Sequence, residues 1–135
     1  MYLAENALPQ VVEAVIGMMN GTQPFAQVTR GALPAGQGIT CEVGPGGSGT
    51  LHMDKNSVVP MQIVINGKHP NERILADALG KIHYALTRAR SYPSGDGWQI
   101  VDIKNYSPPA KIGREDNNDW LMASTLLVEF YWRGE

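Results

Sequence analysis

Gly44, Gly46 and Gly49 stand at the spacing GxGxxG, an arrangement that in a dinucleotide-binding fold lets a pyrophosphate approach the backbone at a helix N-terminus. The following residues, TLHMDKNSVV, lack helical periodicity, and no acid lies about 20 positions on to hold a ribose. No GK[ST] is present, which excludes a phosphate-cradling P-loop. The glycines therefore read as the tip of a hairpin between two strands. A second group, Glu115, Asp116 and Asp119, offers carboxylates at the short spacing that calcium favours. The EF-hand pattern fails, because no glycine occupies the sixth position and no glutamate closes the loop. This group reads as a solvated acidic connection, with Arg114 beside it able to pair for at most about 1 kcal/mol.

The single cysteine, Cys41, has no intramolecular disulfide partner and reads as a small strand residue made in a reducing compartment. His52, His69 and His83 fall in three contexts without metal-ligand spacing, so neither a Cys–His nucleophile nor a zinc site is expected. There is no Ser-His-Asp set, nucleophile elbow or paired-carboxylate site, so no catalytic residue, cofactor or metal is expected. The net charge of -2 and pI near 5.9 argue against a protein that grips DNA by neutralising phosphates, although not against one that surrounds DNA without holding it. Trp98, Trp120 and Trp132 are not interleaved with bases as on a single-strand-binding sheet.

Elements that could position these residues follow from hydrophobic periodicity. At 135 residues, 43% hydrophobic and 18% charged, the chain suits one globular domain. It has no run of 18 apolar residues and no basic leader, so neither a membrane span nor a signal peptide is expected. Leu8, Val11, Val12, Val15, Met18 and Met19 form a helical stripe, with Pro9 expected in the first turn and Asn20-Gly21 at the end. TQPFAQVTRGALPAGQG reads as a long connection. ITCEV and the segment around MQIVING read as a hairpin, with Pro60 marking a strand start or a bulge.

In PNERILADALGKIHYALTRAR, Pro70 is expected as the first helical residue and Arg88 and Arg90 in the last turn. Ile74, Leu75, Ala78, Leu79, Ile82, Leu86 and Ala89 lie along one face. WQIVDIKNY reads as a strand, SPPAKIGREDNND as a turn-rich loop and WLMASTLLVEFYW as the last strand. The last strand puts Met122, Leu126, Val128, Phe130 and Trp132 on one face, with Ser124 the polar exception. Ala123, Thr125, Leu127, Glu129 and Tyr131 share the other, a mixed face left to water or to a neighbouring subunit. The expected fold is α+β, a mostly antiparallel sheet packed against two main helices.

The block LADALGKIHYALTRARSYPSGDGWQIVDIKNYSPPAKIGREDNNDWLMASTLLVEFYW resembles the small minor capsid proteins of long-tailed bacteriophages, which are themselves similar to the tail terminator family. The carrying features are the helix followed by YP, the GWQI strand, the PP pair before IGRED and the aromatic last strand. The first half resembles the family only in its order of elements. The resemblance implies a single tail-terminator-like domain over residues 1–135, without enzyme activity. It also implies a homohexameric ring that caps the tail tube, meets the head/neck connector protein and lets DNA pass without specific binding. The place it implies is the virion tail or neck, after assembly in the host cytoplasm. Gly44, Gly46, Gly49, Arg114, Glu115, Asp116, Asp119, Trp120, Glu129 and Tyr131 are the expected lumen or interface residues. The alternatives are another neck component, a small ligand-binding module or an enzyme using Cys41, and, weakest on charge, a DNA-binding protein.

Overall fold

The computed structural model describes residues 3–33, 36–44, 57–95, 97–114 and 119–132, leaving aside the side chains of 3–8, 57–59 and 132. The element order is α1 (Leu3–Asn20), β1 (Val28–Arg30), β2 (Gly38–Val43), β3 (Ser57–His69), α2 (Glu72–Thr87), β4 (Ser94–Gly95), β5 (Trp98–Arg114) and β6 (Trp120–Trp132). These strands form one sheet in the order β1-β2-β3-β6-β5-β4. The β1–β2 pair is parallel and every other pair antiparallel, so the α+β, mostly antiparallel expectation matches the architecture. The last strand, β6, lies at the middle of the sheet, paired with β3 from Ser57↔Trp132 to His69↔Trp120 and with β5 on its other side.

Both helices contribute to a single core on one face of the sheet. Val11, Val15 and Met19 of α1 and Leu75, Leu79 and Ile82 of α2 are buried with Met61, Ile63 and Ile65 of β3 and Leu126, Val128 and Phe130 of β6. Ala123, Thr125, Leu127, Glu129 and Tyr131 are half-buried on the opposite face, which carries no helix among the described residues. The period of two in β6 separates a dry face from a wetter one as the sequence pattern requires. Ser124 falls on the dry face, and its hydroxyl has no partner among the described residues. The side chain of Trp132, expected on that face, lies outside the description.

Several local expectations are corrected. Helix α1 begins at Leu3, which makes Pro9 an interior residue. A proline there forfeits one helical hydrogen bond at about 3 kcal/mol, a cost opposed by the burial of Val11, Val12, Val15 and Met19. The cap of α2 is Asn71, whose Oδ1 accepts from the amides of Arg73 at 2.9 Å and Ile74 at 3.2 Å. Pro70 therefore precedes the helix, and Arg88 and Arg90 follow its end at Thr87. Ile74, expected in the core, is 42% exposed, while His83, absent from the expected stripe, is buried.

The connection after α1 contains β1, held by Asn20, whose Oδ1 accepts the Val28 amide at 2.7 Å. Pro60 neither starts nor bulges β3. Gln62 turns its carbonyl toward β2 by accepting the Gly44 amide, so Pro60, two residues earlier, faces the same side, beyond the end of β2. The missing amide of Pro60 thus costs the β3–β6 ladder nothing.

The largest correction concerns β5, which continues through SPPAKIGR to Arg114 where a loop was expected. Register shifts between Asn105 and Ser107, Ser107 and Ala110, and Lys111 and Gly113 break the period of two that would have revealed a strand. Pro108 and Pro109 are tolerated because β5 is an edge there, with β4 pairing only to Trp98 and Gln99.

Candidate functional site

The groups with the chemistry of a nucleophile or ligand are held as structural parts. Cys41 is fully buried in β2, and burial pushes its thiol up to about 11, so no appreciable thiolate exists near neutral pH. His69 is buried edge-on against Phe25, with ring centroids 4.6 Å apart, and its Nδ1 accepts the Asn71 amide at 2.8 Å. His83 is on the buried face of α2, with Nδ1 2.7 Å from Oδ1 of Asn105 on β5. Since that oxygen can only accept, Nδ1 carries the proton and Nε2 is left buried without a partner among the described residues. Burial holds the His83 pKa below the ordinary value of 6.5, against the smaller opposing effect of Asn105. His52 lies outside the described residues. Among those described, no group of three His, Cys, Asp or Glu side chains could hold a metal ion.

The expected interface residues separate into distinct places. Gly44 ends the β2 ladder, and a Cβ there would come 2.9 Å from Cγ2 of Val64. Its role is close approach to β3, while Gly46 and Gly49 lie outside the described residues. Where β5 ends and β6 begins, Arg114 is paired across the ladder with Trp120 and its guanidinium stands 4.4 Å from that ring's centroid. Lys111 Nζ lies 5.2 Å from the same ring and 2.9 Å from a carboxylate oxygen of Glu72 on α2. Asp119 is buried, and Glu115 and Asp116 are outside the description.

Glu129 and Tyr131 occupy the other end of β6, nine and eleven residues, or about 30 and 36 Å at ordinary strand rise, from Trp120. There Glu129 meets Lys104 at 3.5 Å, and Tyr131 lies beside Gln99. Two open hollows of about 280 and 600 Å³ share Gln99 and Tyr131, the larger also lined by Arg90, Tyr92 and Val101. The described candidates on β5 and β6 thus mark the two ends of one hairpin, with Gly44 apart from them at the end of β2, and they cannot act as one small-molecule site.

The sequence motifs that stood out acquire local explanations. In YP, the Tyr92 hydroxyl donates to the Leu86 carbonyl at 2.7 Å, satisfying an orphan acceptor at the end of α2, and the Pro93 carbonyl accepts the Ile100 amide. In GWQI, the indole of Trp98 donates to Gln10 Oε1 at 2.8 Å and ties β5 to α1.

Sequence reasoning missed a set of exposed apolar residues. Tyr84 on α2 and Tyr106 and Ile112 on β5 are 66%, 59% and 64% exposed, with Val101 and Ile74 also in solvent. The signal available was Tyr106 and Ile112 standing amid polar neighbours in KNYSPPAKIGR. They were assigned to a strand end and a loop, where exposure has no special meaning.

Among the described residues, no helix is long and apolar enough to cross a membrane. The sequence matches no family model and no curated protein. The fold is similar to that of a chain in the virion of a native gene transfer agent (GTA) particle, with a TM-score of 0.59 at 15% identity. The match covers 99% of this chain and 100% of the other. At that identity the likeness establishes a shared fold.

Proposed function

We infer that this chain is a non-enzymatic structural protein of a tailed, phage-like virion. The single observation that carries the reading is an end-to-end fold likeness to a virion chain of nearly the same extent. The burial of Cys41, His69 and His83 is consistent with it, because each would have to leave the core to act chemically.

Within that class the chain is a minor capsid protein of a phage or prophage, a single tail-terminator-like domain over residues 1–135. It forms a homohexameric ring that caps the tail tube and joins it to the head/neck connector protein. DNA passes through the ring, and the net charge of -2 keeps that passage from becoming a strong phosphate trap. The support for this finer role is the helix–YP–GWQI–PP–aromatic-strand pattern. A second reading, a head-completion or connector protein elsewhere in the neck, draws on the same fold likeness.

Native mass spectrometry across concentration, with and without the tail-tube protein of the same particle, tests the terminator role. A hexamer, alone or on the tube, is the expected result. A protein that ignores the tube but binds the portal or adaptor would move the assignment to another neck position.

A further inference from the structure

All the large apolar side chains that stand exposed among the described residues lie on α2 and β5: Ile74 and Tyr84 on the helix, Val101, Tyr106 and Ile112 on the strand. The two elements form one flank, since α2 packs on β5 through the His83–Asn105 and Glu72–Lys111 contacts. The same flank is basic. Arg73, Lys81, Arg88 and Arg90 in and after α2 outnumber Glu72 and Asp77, and Lys104, Lys111 and Arg114 on β5 outnumber Asp102. Beyond its short pairing with β4, β5 carries no further strand on its outer side among the described residues.

The opposite flank has the reverse character. Beside β2, the part of α1 beyond Gln10 carries Glu13 and no base, and β2 carries Glu42, with Arg30 of β1 the one cation among them. Glu13 and Glu42 are exposed, and no large apolar side chain stands exposed on these elements among the described residues. The molecule is therefore polarised across its sheet, basic and apolar on one side and acidic on the other.

We propose that the α2–β5 flank docks against the α1–β2 flank of a second copy of this chain, in a head-to-tail contact. Charge complementarity decides the occupant. Two copies joined through like flanks would set bases against bases, whereas a head-to-tail contact sets bases against acids at every junction. Such a contact is heterologous and propagates into a ring when its rotation closes. The proposal rests on the reading of the chain as a ring-forming virion protein and names the surfaces that would join.

The test is a charge exchange. One variant, Lys81→Glu with Arg88→Glu and Arg90→Glu, makes the basic flank acidic, and another, Glu13→Lys with Glu42→Lys, makes the acidic flank basic. Native mass spectrometry is run on each variant and on their mixture, alone and with the tail-tube protein, with circular dichroism as the fold control. Each variant alone is expected to lose oligomers at least tenfold, because both of its flanks then carry one sign. The mixture is expected to regain them as species alternating between the two variants. Ile112→Asp, a single change at an exposed site, gives an independent reading and is expected to lower oligomer content without changing the circular dichroism spectrum.

Variants that assemble as well as the wild type would overturn this contact and leave the ring itself standing. A wild type that stays monomeric with and without the tube protein would overturn both. Retention of monomeric wild type on duplex DNA, abolished by Lys81→Glu with Arg88→Glu and Arg90→Glu, would overturn the second copy as occupant in favour of a nucleic acid.

Discussion

His83 is a buried side chain whose environment ties stability to pH near neutrality. Its neutral ring spends its proton on Asn105, and the other nitrogen is buried without an acceptor among the described residues, so a second proton there gains no bond from them. The folded-state pKa lies below 6.5, and the unfolded chain takes up the proton first. Stability attributable to this group is complete above the unfolded value and falls as pH drops from about 6.5 toward the folded-state pKa. Thermal midpoints measured from pH 7.5 to 5 are expected to decline, and the decline is expected to be shallower in His83→Gln, which cannot titrate. An equal slope in the variant would assign the acid sensitivity to other groups. Gly67 is the second residue with a definite structural consequence, since a Cβ there would come 2.6 Å from Cδ1 of Leu75. Gly67→Ala pushes the Leu75 methyl aside within the packed core, and a loss of about 1 kcal/mol in urea denaturation, the low end for overpacking, is expected.

Among the elements, β5 is the one whose irregularities have a purpose. A long edge strand with Tyr106 and Ile112 exposed would template pairing with other chains. The paired prolines and successive register shifts remove amides and bend the edge, which limits such pairing without removing the strand. Replacing Pro108 and Pro109 together by Thr is expected to keep the fold while increasing irreversible aggregation. Light scattering during incubation at fixed concentration checks this, and unchanged scattering would mean that the prolines serve another role. The same irregularity hid the strand from the sequence. Helix α2 and β6 were legible because their periods run unbroken, while β5 was legible only as far as Tyr106. The three residues of β1 are too few for any period to show.

For the molecule as a whole, the proposed head-to-tail contact would make assembly dependent on ionic strength. Exposed charges lose most of their reach when the screening length shortens, from about 10 Å at 0.1 M salt to about 3 Å at 1 M. Oligomers held by the α2–β5 and α1–β2 flanks are therefore expected to dissociate as salt rises, with sedimentation velocity recording a shift toward the monomer. An oligomer insensitive to salt would point to the half-buried outer face of β6, with Leu127 and Tyr131, as the contact. The candidate surface was only partly legible in advance. Glu129 and Tyr131 were placed correctly on the face of β6 away from the helices, and Arg114 and Trp120 do meet across the hairpin. The apolar residues of α2 and β5 were not singled out, because whether Ile74 or Ile112 is covered depends on which neighbours the sheet order supplies.

By itself the sequence determined the α+β class, the alternating faces of β6, the core stripe of α2 and the absence of any recognisable catalytic motif. Each of these depends on residues close together in the chain, where periodicity and residue chemistry act directly. Tertiary structure decided that β6 is central, that Pro60 faces past the end of β2, that β5 is an edge continuing through two prolines, and that charge and exposed apolar surface divide between opposite flanks. Those are matters of which strands become neighbours, set by pairing between residues far apart in the chain, and local periodicity carries no record of them.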